Sequence, residues 1–177
     1  MDNNFLAYLE QLEMMAFFSG YPLIYILIFS FAGNKTTRSP VKQQLVSLLP
    51  IAYALAGTLY FGLVLKNLYP DYSFTHIKEE FQNPLLKIWG LLSIFFWVPA
   101  FRKRPVISLL HSLVFFFLII KDFYIQLTSA FADKNVLQND MKIYTDSILL
   151  NIAVFIATAL VFYAIIRFRK KRKSRLL

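Results

Sequence analysis

The chain has 177 residues, of which 58% are apolar, 18% aromatic and only 16% charged, with a formal net charge of +9. A soluble domain of this size cannot bury so much apolar surface, and the same figures exclude disorder, collagen and a coiled coil. The absence of Cys removes disulfides, thiolate metal sites, Cys nucleophiles and CxxC redox chemistry. What remains is an integral membrane protein.

In chain order, Phe5, Leu9, Leu12 and Ala16 recur at helical spacing. This pattern predicts a short amphipathic helix on the outer surface, or the first turns of the first span. Met1–Glu13 holds three acids and no base, unlike the basic start of a cleavable signal peptide. Uncharged runs then follow at Met14–Ala32, Leu45–Leu65, Ile88–Phe101, Val106–Ile120 and Ser147–Ile166. A helix needs roughly 20 residues to cross a ~30 Å hydrocarbon core. The expected spans are therefore 14–32, 45–65, 85–101, 106–127 and 147–168. Lys87 would snorkel from the third, and the fourth continues through Lys121 and Asp122. Pro40, Pro84 and Pro105 are expected just before helices, where a missing N–H costs little. Reading the third and fourth runs as a re-entrant hairpin would leave Arg102, Lys103 and Arg104 near mid-membrane, at about 2.5–3.5 kcal/mol each. Crossing is the cheaper solution.

Charge placement tests that count. Five spans put Lys35, Arg38, Lys42, Arg102, Lys103 and Arg104 on one side with a basic tail over 167–177. The tail contributes Arg167, Arg169, Lys170, Lys171, Arg172, Lys173 and Arg175. These are 13 of the 19 basic residues, and all ten acids fall on the other side. By the positive-inside rule the N-terminus lies outside and the C-terminus in the cytoplasm. The fold class predicted is an all-α, polytopic bundle of five transmembrane helices forming a single membrane domain, 1–177. Its place would be the cell (inner) membrane.

Helix contacts in lipid favour small residues. The second span offers Ala54, Thr58 and Gly62, with Ala52 and Ala56 on another side. The fifth offers Ala153, Ala157 and Ala164, and opposite them Ser147, Asn151 and Thr158. These faces predict that the second and fifth spans are the most enclosed, so that Gly62→Leu or Ala157→Leu would overpack. Phe95, Phe96, Phe115, Phe116 and Phe117 are expected to face lipid. Trp89 and Trp97 are expected in the aromatic belts.

Few residues inside the spans can carry chemistry. His111 lies six residues past Pro105, roughly 9 Å up its helix. It shares a face with Ser108, Ser112 and Phe115. A buried His can handle protons or ligate a metal or haem, and it can equally hydrogen-bond a neighbouring helix. Asn151 and Thr158 could line a polar path or bridge helices. Together, Ser108, His111, Ser112, Asn151 and Thr158 form the candidate intramembrane polar site. In the loop 66–84, His76, Glu79 and Glu80 share a helical face but lack the second His of an H-x-x-E-H metal motif. Phe74, Ile77 and Phe81 fit an interfacial helix there just as well. The seven basic residues of the tail suit anionic lipid headgroups, at about 1 kcal/mol each.

There is no P-loop, no G-x-S-x-G, no H-E-x-x-H and no carboxylate within a span. The expected function is a non-catalytic accessory or binding component acting through helix contacts. Its partners would be the bilayer, its anionic headgroups, and a membrane protein or a second copy. It would bind no nucleic acid and need no cofactor or metal. A small-solute transporter or channel is the alternative, and a His-dependent membrane enzyme the second.

Overall fold

The computed structural model describes residues 15, 17–32, 40–70, 72–73, 75, 77–78, 84–128 and 134–173. The expected N-terminal helix and the His76–Glu79–Glu80 string lie outside them. Every described element is helical: α1 (Tyr21–Ala32), α2 (Pro40–Leu68), α3 (Pro84–Leu92), a 3-10 turn (Ser93–Trp97), α4 (Pro99–Arg102), α5 (Pro105–Thr128) and α6 (Lys134–Lys173). Pro40, Pro84 and Pro105, expected just before helices, are the first residues of α2, α3 and α5.

Three helices are long and apolar enough to cross a membrane, over Gln43–Leu68, Pro105–Ile125 and Tyr144–Phe168. The other two expected spans are interrupted, and proline is the reason in both. Pro22 lacks an N–H and its ring collides with the carbonyl four residues back. The chain is therefore a turn over 17–20, and α1 is only 12 residues, or ~18 Å. Pro99 disfavours helical dihedrals at the residue before it. Val98 is accordingly extended, with φ −70° and ψ 131°. Expected span 85–101 is thus α3, a 3-10 turn and α4 rather than one continuous helix.

Successive segments alternate in direction. Phe18, in the turn before α1, meets Tyr60 and Phe115 while Tyr21 of α1 meets Tyr53 and Ser108, so the first segment runs antiparallel to α2 and α5. Gly90 lies against Tyr60, Ser93 against Gly57 and Phe96 against Tyr53, so the broken third segment descends along α2. Tyr144 meets Phe123 near the end of α5, and Val154 packs on Ala52 and Ala56. That places α6 antiparallel to both.

α2 is the hub of the bundle, with 56% of its apolar window buried, against 28% for α5 and 17% for α6. The expectation of an enclosed fifth span is corrected here. α6 docks through Ser147, Asn151, Val154 and Thr158, while Ala153 and Ala157 face outward. Buried polar groups that need partners, not small side chains, choose its inner face. Gly62 likewise faces open space, with nothing within 4 Å of a Cβ built on it. The close approaches occur elsewhere. A Cβ on Gly20 would sit 2.9 Å from the Ile148 Cα, and one on Gly57 would collide with Ser93.

The core between α1, α2, the third segment and α5 is aromatic. Phe18, Tyr53, Phe96 and Phe115 are buried at its centre, so two of the five phenylalanines expected in lipid are enclosed. Phe95 and Phe117 are exposed as expected. Lys87, expected to snorkel outward, is buried in the protein.

Candidate functional site

Two polar centres sit within the apolar part of the bundle, and both are built by residues that bind across helices. The first repairs the break in the first segment. A turn at membrane depth exposes backbone groups that lipid cannot satisfy. Two residues of α6, one helical turn apart, supply what is missing. Ser147 Oγ accepts from the Gly20 N–H at 3.1 Å and pairs with Ser19 Oγ at 2.9 Å. Asn151 Nδ2 donates to the Phe17 carbonyl at 3.1 Å and to the Ser147 carbonyl at 2.8 Å. Remaining turn bonds run from the Ser19 N–H to the Met15 carbonyl and from the Tyr21 N–H to the Phe18 carbonyl. The small Gly20 lets the α6 backbone come this close. Thr158, two turns further along α6, bonds only the Val154 carbonyl of its own helix.

The second centre lies on the polar face of α5. Ser108, Ser112 and Phe115 are fully buried there, and His111 is partly buried. Tyr21 of α1 pairs with Ser108 Oγ at 2.9 Å, while Ser108 also donates to the Pro105 carbonyl. Ser112 donates to the Leu109 carbonyl. The Tyr53 hydroxyl of α2 lies 2.6 Å from His111 Nδ1, and the Tyr21 and Tyr53 rings touch at 4.5 Å. From α3, the Trp89 indole stacks on the imidazole at 4.6 Å and 5°, and its Nε1 donates to the His111 carbonyl. Phe96 and Phe115 complete the surround. Three segments, α2, the broken third and α5, therefore meet at one imidazole, and α1 joins them through Tyr21, which touches Tyr53 and Ser108.

Hydrogen-bond logic fixes the tautomer. Among the described residues the buried Tyr53 hydroxyl has Nδ1 as its one partner, so its proton points there. A neutral imidazole accepting at Nδ1 carries its own proton on Nε2. That Nε2–H is buried, and among the described residues it makes no hydrogen bond of ordinary geometry.

The five candidate residues therefore divide. Ser108, His111 and Ser112 belong to the α5 centre, Asn151 belongs to the α1–α6 staple, and Thr158 joins neither through a hydrogen bond. Tyr21, Tyr53, Trp89, Ser19 and Ser147 complete the two centres. A tyrosine in mid-span was the available signal, because its hydroxyl requires a partner once water is gone. Trp89 and Trp97 do not behave as belt residues alone, since Trp97 Nε1 donates to Thr58 Oγ1 of α2 at 2.9 Å. No group of three or more metal-ligating side chains occurs among the described residues. Of the seven basic residues in the tail, Arg167 has a described side chain, which is exposed, and the helical backbone carries on to Lys173.

No family model, curated protein or solved structure matches the chain.

Proposed function

We propose that this chain is a five-span, non-catalytic membrane component that works through helix contacts with a membrane partner or a second copy. Its N-terminus would lie outside and its basic C-terminus would rest on anionic headgroups at the cytoplasmic face. The alternating segment directions and the one-sided distribution of Lys and Arg support the span count. One observation carries the functional reading. Ser19, Ser108, Ser147 and Asn151 bond to other segments of the chain, while Ser112 and Thr158 bond carbonyls of their own helices, so all six polar groups are used within the bundle. A solute path would need such groups turned toward a passage.

Proteoliposomes of the purified chain should show no flux of protons, monovalent cations or small neutral solutes above empty vesicles. Purification in mild detergent should recover a stoichiometric membrane protein or a dimer. Saturable flux from the chain alone would overturn this reading in favour of a transporter. That second reading has one specific support, the interrupted segments at 17–20 and 93–98, since broken helices at membrane depth are where transporters place their sites.

A further inference from the structure

We propose that the turn Arg102–Lys103–Arg104, with the outward stripe of α5 beyond it, is the seat of one phospholipid whose headgroup carries two phosphates. The proposal rests on the five-span reading, which brings this turn to the inner face. Three observations select the ligand class. First, the turn gathers charge without a counterion. All three side chains are exposed. No Asp or Glu occurs between Glu80 and Asp122, or after Asp146. Asp122 lies towards the far end of α5, about 25 Å from Pro105 along the helix. The neutralising anion must therefore come from outside the chain, and the positive end of α5 adds to its attraction. One phosphate leaves most of this charge unanswered, whereas two answer most of it. Second, the backbone carrying the cations is fixed. The N–H groups of Arg102 and Lys103 donate to the Val98 and Pro99 carbonyls at 3.0 and 3.3 Å, and that of Arg104 donates to the Phe101 carbonyl at 3.0 Å. Pro99 and Pro105 set φ on either side. A cluster already in place gives up less freedom on binding. Third, the turn borders apolar surface. Phe101 is exposed before it, and Val106, Leu110, Val114 and Phe117 run from it up the outside of α5 at helical spacing. That stripe is ~16 Å long and can carry an acyl chain. A free phosphate or a nucleic acid would use the cations and leave the stripe idle.

The basic tail is a separate case. Its seven bases spread over 167–175, and α6 carries most of them beyond the apolar window, which ends at Phe168. They attract anionic headgroups collectively, as charge near a surface. The turn instead joins its cations to an acyl-bearing stripe at one edge of the bundle. It should therefore keep a single lipid through purification, where the tail keeps none in particular.

Native mass spectrometry reads the occupancy directly. The full chain in mild detergent is mixed with cardiolipin, phosphatidylglycerol and phosphatidylcholine at equal phosphate. One cardiolipin should be retained in preference to the other two lipids. Replacing Arg102, Lys103 and Arg104 together by Gln should weaken its retention at least about tenfold. Arg102→Lys with Arg104→Lys keeps the charge and should retain it within a few-fold. Replacing the tail bases from Arg169 to Arg175 by Gln should leave it unchanged. Equal retention by the folded triple-Gln protein, or loss with the tail variant, would overturn the proposal. A second measurement needs no substitution. Cardiolipin should raise the melting temperature of the unsubstituted protein saturably, and phosphatidylglycerol at twice the concentration should raise it less. Equal shifts would overturn the two-phosphate preference. A reporter fusion after residue 104 that reads outside would remove the five-span premise, and the proposal with it. An inside reading without cardiolipin preference would overturn the lipid seat alone.

Discussion

At the scale of single residues, the amide of Asn151 and the hydroxyl of Thr158 look alike as polar groups on α6 but do different work. Asn151 reaches across to the Phe17 carbonyl at a backbone turn, whereas Thr158 bonds only its own helix. Replacing Asn151 by Leu strands a carbonyl in an apolar interior, at about 1–3 kcal/mol. Thr158→Val removes a donor whose acceptor already serves the helix, so the change should be under about 0.5 kcal/mol, as for ordinary tolerated sites. Thermal unfolding in one detergent should rank Asn151→Leu well below Thr158→Val. Equal melting temperatures would show that the α1–α6 staple carries no stability. The pairing of Tyr21 with Ser108 is a milder case. Ser108 keeps the Pro105 carbonyl as a partner, so Tyr21→Phe leaves nothing unpaired and should cost about 1 kcal/mol.

At the scale of elements, much was legible, and the failures have a common cause. Pro22, Pro50 and Pro99 all fall within expected spans. Pro50 is absorbed into the continuous 29-residue α2, while Pro22 and Pro99 end helices. Propensity alone gives these three the same weight. The outcome depends on whether a neighbour can serve the freed backbone, as Ser147 and Asn151 do for the turn before Pro22. That neighbour is more than a hundred residues away in the chain. The Ser108–His111–Ser112 face was legible because helical periodicity orients it, whereas Tyr53 and Trp89 come from other elements and no spacing joins them to it. Small residues misled for a related reason: they permit close approach without requiring it. Gly57 and Gly20 meet Ser93 and the α6 backbone, while Gly62 meets nothing. Gly57→Leu and Gly20→Leu should therefore destabilise strongly, by about 1–3 kcal/mol or more through overpacking. Gly62→Leu should be neutral or slightly stabilising, because leucine is the better helix former. Melting temperatures of the three variants test this, and a Gly62→Leu protein as unstable as Gly57→Leu would mean that this face is covered in the membrane.

At the scale of the whole molecule, the decisive quantity is how many segments cross. Among the described residues, three helices are long and apolar enough to do so without interruption. The two broken segments nevertheless both pack along α2. Contacts from Gly90 with Tyr60 to Phe96 with Tyr53 keep pace along α2, and Arg102 is a further six residues on. Continuing that pairing brings Arg102–Arg104 close to the end of α2 that begins at Pro40 and to the end of α6 that carries Arg167. Stopping short would leave the three cations in hydrocarbon at about 2.5–3.5 kcal/mol apiece. The two span counts differ at one comparison. With five crossings, positions 38 and 104 share a compartment. With only α2, α5 and α6 crossing, they lie on opposite sides. Reporter fusions after residues 38, 75, 104, 134 and 175 should accordingly read in, out, in, out, in. A fusion at 104 that reads outside while 38 reads inside would show that the third segment does not cross, leaving at most four spans, with Trp89 on a re-entrant arm entered from the outer face and stacked on the imidazole of α5.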